Sequence, residues 1–134
     1  MRLFILLSMI FLHVFDDYYH QGKSFLVEGK QKSWWDKNYP DTKYRHDYLI
    51  VLALHALSWS FMVHIPLVIL SILKGCDLYT QLSISIIIHT IIHAIIDDLK
   101  ANKFKINLIQ DQMFHIIQID LMGIIFLFHH SFPL

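Results

Sequence analysis

Charge is what this sequence has least of. Lysine, arginine, aspartate and glutamate make up 16% of the 134 residues. A soluble domain carries about 25%. The formal net charge is zero, so no basic excess favours nucleic acid, and none is expected as a partner. Cysteine is almost missing too. The one thiol, Cys76, excludes an internal disulfide framework and a cysteine-built zinc site. No repeat and no low-complexity segment interrupts the chain. The first apolar run lacks a small-x-small cleavage site; HVFDDYYHQG follows it instead, so it reads as a retained helix and not a secretory leader.

What remains is apolar. Hydrophobic residues make up 55%, and ten histidines lie among them. Four runs stand out: Met1 to about Gly22, Tyr48 to Leu73, Leu78 to Asp97, and Met113 to Phe128. A helix needs about 20 mainly apolar residues to cross a ~30 Å hydrocarbon core. The second run is long enough, with Pro66 as a kink that neighbouring helices relieve. The other three are shorter and need their polar ends covered by protein. All four are broadly apolar and not striped on one face, which argues against a water-soluble bundle. The expected fold is all-α: a four-transmembrane-helix bundle in one domain, with helices over about residues 1–22, 48–73, 78–98 and 111–129.

Basic residues orient such a bundle. Lys23, Lys30, Lys32, Lys37, Lys43 and Arg45 separate the first two runs, and Lys100, Lys103 and Lys105 the last two. Against these nine the other side has Arg2 and Lys74. Both of those connections are therefore expected in the cytoplasm, with both termini and the Lys74–Asp77 turn outside. The loop between helices one and two is aromatic as well as basic. Trp34, Trp35, Tyr39 and Tyr44 suit the membrane–water interface, where such rings are favoured. The localisation implied is the cell (inner or plasma) membrane, crossed several times.

The ionisable residues of the runs fall into register. Positions i and i+4 share a helix face. His13, Asp17 and Gln21 make one such stripe. His89, His93 and Asp97 make a second, with Lys100 three residues on. Asp111 and His115 make a third pair, beside Gln112. His55 lies about 10 Å into the second helix from Tyr48. On the topology above, all of these meet at the cytoplasmic level. Ionisable residues in spans are expensive and face the protein interior or a water-filled cavity. Imidazole with carboxylate suits zinc, manganese or iron better than magnesium or calcium. The candidate ligands are His13, Asp17, His55, His93, Asp97, Asp111 and His115, for one or two divalent transition-metal ions. Some of the seven would serve as outer partners of the ligands. A metal-free polar core and a proton or ion path are the alternatives for the same residues. The remaining polar residues read more plainly. His64 is a hydrogen-bonded packing residue, and Asp120 faces away from Asp111. Asp16 and His20 are solvated at a helix end, His129 and His130 are interfacial, and His46 belongs to a loop.

Four segments together, HVFDDYYHQG, LALHALSW, HAIIDDLK and DQMFH, resemble the domain of unknown function 3307 family. That family's pattern is H-x3-D-[FY]-x2-Q, a lone histidine in a second helix, H-x3-D-x2-K, then D-Q-x2-H. The matching residues are His13, Asp17, Tyr18 and Gln21, then His55, then His93, Asp97 and Lys100, then Asp111, Gln112 and His115. The KQKSWWDKNY loop also looks like phage-type members. The resemblance spans nearly the whole chain. It implies a small multi-pass membrane protein of bacteria or their phages, and no reaction.

Three functions fit these residues. The first is a metal-dependent hydrolase of a lipid-linked or amphipathic substrate, lipid-like or small and anionic. Asp17 or Asp111 would be its base, and Gln21, Gln112 and Lys100 would position the substrate. The second is an ion or proton pathway, continued outward through His89, His64 and Asp120. The third is a non-catalytic membrane module with a structural polar core. The lipid bilayer is a partner in all three, and a homo-oligomer is compatible with each.

Overall fold

The computed structural model describes residues 1–22 and 25–129, the last by its backbone alone. Lys23, His130 and the His129 side chain, read above as an orientation charge and interfacial residues, lie outside it. Among the described residues every regular element is helical. The elements are α1 (Arg2–Val14), α2 (Phe25–Gly29), α3 (Lys32–Asn38), α4 (Asp47–Lys74), α5 (Tyr79–Ala101) and α6 (Leu108–Ile124). Helix α1 runs on as a π-turn over Phe15–His20, and α6 ends in another over Ile125–His129. A 3-10 turn over Thr42–Tyr44 precedes α4.

Four of these helices, counting their π-turns, are long and apolar enough to cross a membrane. Helix α4 has 28 residues, about 42 Å, and continues through Pro66. It packs between α1 and α5, and α6 closes the ring between α5 and α1. The ends have local causes. Gly75 adopts φ +62°, and the amides of Gly75 and Cys76 turn back onto Ile72 and Ser71, a Schellman stop for α4. Asn107 and Gln110 cap each other's backbone at the start of α6. That capping box starts α6 three residues before the expected 111.

The bundle has two halves. Met9, Trp59, Val63, Leu67, Leu82, Ile119 and Met122 fill an apolar core toward the Gly75 turn. The half nearer α2 and α3 is filled by His13, Asp16, Gln21, His55, His93, Asp97, Asp111 and His115, all buried. The outer surface is apolar: Phe4, Phe11, Ile50, Phe61, Leu73, Ile87, Ile95 and Ile117 are exposed. Polar inside and apolar outside is the arrangement of a chain solvated by lipid.

Candidate metal centre

The site is built from the ends of four helices. Helix α1 contributes His13 and Asp17 one turn apart, with His13 Nδ1 3.5 Å from Asp17 Oδ2. Helix α4 contributes His55, and α5 contributes His93 and Asp97, 3.8 Å apart. Helix α6 contributes Asp111 and His115, 3.4 Å apart. The i, i+4 stripes thus meet across the bundle axis. Two groups of ligand atoms are close enough for one ion each: Asp17, His55 and His93, and His93, Asp97 and His115. These buried groups could hold a metal ion.

Hydrogen bonds divide the histidines into two kinds. His13 is fully committed. Trp59 Nε1, which can only donate, gives its proton to His13 Nδ1 at 2.7 Å. The other nitrogen, Nε2, then carries the ring proton and donates to Gln112 Oε1 at 3.1 Å. His55 is fixed just as firmly. Its Nδ1 donates to Gln21 Oε1, so Nε2 presents a lone pair. That lone pair and Asp97 Oδ2 lie 2.9 Å apart and share one cation, the Lys30 ammonium, which is 2.8 Å from His55 Nε2.

His93 and His115 differ. Both ring nitrogens of each are buried and make no hydrogen bond. His115 Nε2 lies 3.4 Å from both Asp97 and Asp111, without hydrogen-bond alignment. The His93 ring stacks on Trp59 and on His115, with centroids 4.2 Å apart in each case. Asp17 Oδ1 and Asp111 Oδ1 also accept nothing. Buried polar atoms without partners are uncommon and costly. Here imidazole nitrogens and carboxylate oxygens share one space, a set that could hold a metal ion.

A cleft of about 530 Å³ opens onto this centre, lined by Asp17, His55, Asp97 and Asp111 and rimmed by Lys30, Lys100, Tyr18 and Gln112. Lys100 pairs with Asp111 Oδ2 at 2.6 Å. Lys103 turns away to Asp98, 2.7 Å off, and that hydrogen bond pushes its pKa up.

The structure corrects the reading of several residues. Asp16, expected to be solvated, is fully buried. It accepts from Gln21 Nε2, from His20 Nδ1 at 2.9 Å and from Ser58 Oγ at 3.2 Å. The π-turn is the reason: its i+5 spacing brings Asp16 to Gln21, where an α-helix would have aligned Asp17 with it. Lys30 is more than an orientation charge, since its ammonium reaches His55 and Asp97. Asn102 holds it over the cleft: its Nδ2 donates to Lys30 O at 3.1 Å, and its Oδ1 accepts from Lys32 N at 2.7 Å. Trp59 joins the centre as well: it lies four residues after His55 and so on its face. His64 is a hydrogen-bonded packing residue, as expected, bonded to Ser60 O and Ser85 Oγ.

No protein-family model matches the chain. No curated protein and no solved structure matches it either.

Proposed function

We propose that this chain is a multi-pass protein of a bacterial cell membrane that binds a divalent transition metal and uses it to hydrolyse a lipid-linked or amphipathic substrate on the cytoplasmic side. The buried ring nitrogens of His93 and His115, which make no hydrogen bond and lie beside Asp97, a wall of the open cleft, carry this reading. A purely structural polar core would be expected to satisfy its own buried atoms.

On this reading the first ion belongs to His93, Asp97 and His115. The second grouping, Asp17, His55 and His93, shares His93 with the first, so one ion per chain is the resting state on this reading. A bound divalent ion supplies Lewis acidity and brings the pKa of a coordinated water toward ~7. The remaining steps belong to the chain. Asp17 borders the cleft with one oxygen free of hydrogen bonds, and it takes the proton from the attacking water. Lys100 and Lys30 neutralise charge at the cleft rim. Gln112 holds His13, and Gln21 holds His55, each in one tautomer.

Metal analysis of the detergent-purified protein tests this, beside a His93→Ala, Asp97→Ala double variant. Near-stoichiometric zinc, manganese or iron is expected in the wild type and none in the variant. A well-folded wild type that takes up no metal, even after reconstitution with each ion, overturns the proposal. The same residues would then be a polar core or a proton path.

A further inference from the structure

Outside the bundle, between the end of α1 and the lipid-facing side of α6, runs an apolar groove of about 550 Å³. Ile109, Met113, Ile116 and Ile117 line it on α6. Three more of its walls, Tyr18, Leu108 and Gln112, are also walls of the polar cleft. Groove and cleft therefore abut at one doorway, formed by a phenol, a leucine and an amide. The doorway lies between two helices, so it opens sideways toward the surface that lipid would cover. From Ile109 to Ile117 the helix rises about 12 Å, close to the depth of one leaflet of a ~30 Å core.

The cleft side of the doorway is built for an anion once an ion is present. Lys30, Lys100 and a divalent ion then outweigh Asp17, Asp97 and Asp111. The Lys30 side chain is 15% exposed and that of Lys100 35%, so both ammonium groups reach the cleft while still paired with carboxylates. Tyr18 offers a hydroxyl at the threshold. An apolar groove joined to such a cleft fits one kind of ligand: a phosphate-headed, single-chain amphipath.

We infer that the substrate is a phosphorylated lipid that enters laterally from the bilayer, its head in the Lys30–Lys100 cleft and its chain in the α1–α6 groove past Tyr18 and Gln112. This deepens the hydrolase reading and rests on it for the metal. Hydrolysis would add water across the phosphate ester, breaking the P–O bond and releasing a lipid alcohol and inorganic phosphate.

The test uses the full-length protein, metal-loaded, in nanodiscs of phosphatidylcholine. The probe is a hexadecyl phosphonate with a photoreactive diazirine in its chain, and crosslinked peptides are mapped by mass spectrometry. Crosslinks are expected to concentrate on residues 109–117. Unlabelled hexadecyl phosphonate should displace them, and hexadecanol or inorganic phosphate should not. Ile117→Trp fills the groove from a half-exposed, lipid-facing position that the core does not use. It should cut labelling at least tenfold with metal content unchanged. Lys30→Ala should weaken displacement by the phosphonate at least tenfold. Crosslinks spread evenly over the outer faces of α4, α5 and α6 overturn the inference. Displacement by inorganic phosphate as effective as by the alkyl phosphonate overturns it too, leaving a free-anion site. Because metal is measured in the same samples, the two proposals fail separately. Bound metal with scattered labelling removes the lateral site alone. Focused labelling without bound metal removes the hydrolase, and with it the substrate role, and leaves a lipid-binding groove.

Discussion

His13 is the residue whose surroundings say most about its work. Both of its nitrogens are engaged, one by Trp59 and one by Gln112, so its protonation pattern is fixed by neighbours. Its ring meets His115 edge-on, with centroids 5.6 Å apart. Trp59 in turn stacks on His93. One indole therefore orients one histidine through its N–H and supports another through its face. Trp59→Phe separates the two roles, because it keeps an aromatic face and removes the N–H. Outer-sphere losses of this kind typically cost 10–100-fold in metal affinity. The variant should lose metal affinity by about that factor, read by chelator competition, with its helical circular dichroism unchanged. Unchanged affinity would make Trp59 a packing residue only. At this scale the sequence was informative where chemistry repeats at helical spacing: His13 with Asp17, His93 with Asp97, Asp111 with His115. It was silent where a partner arrives from another element. Nothing local marks Lys30 as the cation shared by His55 and Asp97, since 25 and 67 residues separate them. Asp16 escapes the α-helical spacing rule because the chain forms a π-turn there.

The element that most needed the third dimension is the segment carrying α2 and α3. Its aromatic residues are conspicuous in the sequence, but its course is not. The rings of Phe25, Trp34, Trp35, Tyr39 and Tyr44 form a linked cluster. Trp35 Nε1 donates to Gly29 O at 2.6 Å, which folds α3 back on α2. Asn102 then ties the turn between them to the end of α5. Lys30 is at that tied point, so the segment works as a strap whose position sets where the ammonium sits. The four long helices needed no such help, because broad apolar runs predict them directly; only their ends moved, under caps and π-turns. Asn102→Ala removes the two hydrogen bonds to the strap, together worth about 2 kcal/mol, and a third to Asp98 Oδ1 at the end of α5. Amide hydrogen exchange across residues 29–35 should then quicken more than tenfold, while the α4 and α5 amides keep their protection. Exchange equal to wild type at those amides would show that the aromatic cluster alone holds the strap.

For the whole molecule, two independent patterns agree on one direction. The basic residues collect in the α1–α4 and α5–α6 connections. The buried His/Asp centre and its cleft lie at the same end of the bundle, beneath α2 and α3. If that end faces the cytoplasm, the Gly75 turn faces out, and the chain carries its own reporter there. Cys76 is the only cysteine and is partly exposed. A membrane-impermeant maleimide should therefore label Cys76 in intact cells. In a Cys76→Ser background, Lys43→Cys should react only after permeabilisation, since Lys43 lies on the basic connection and its side chain is 63% exposed. The reverse pattern would place the cleft outside the cell. A cytoplasmic phosphorylated lipid could then no longer be its substrate, although the metal centre itself would be untouched. Labelling of both positions in intact cells would mean that the chain inserts in two orientations, with nine basic residues against two failing to decide between them.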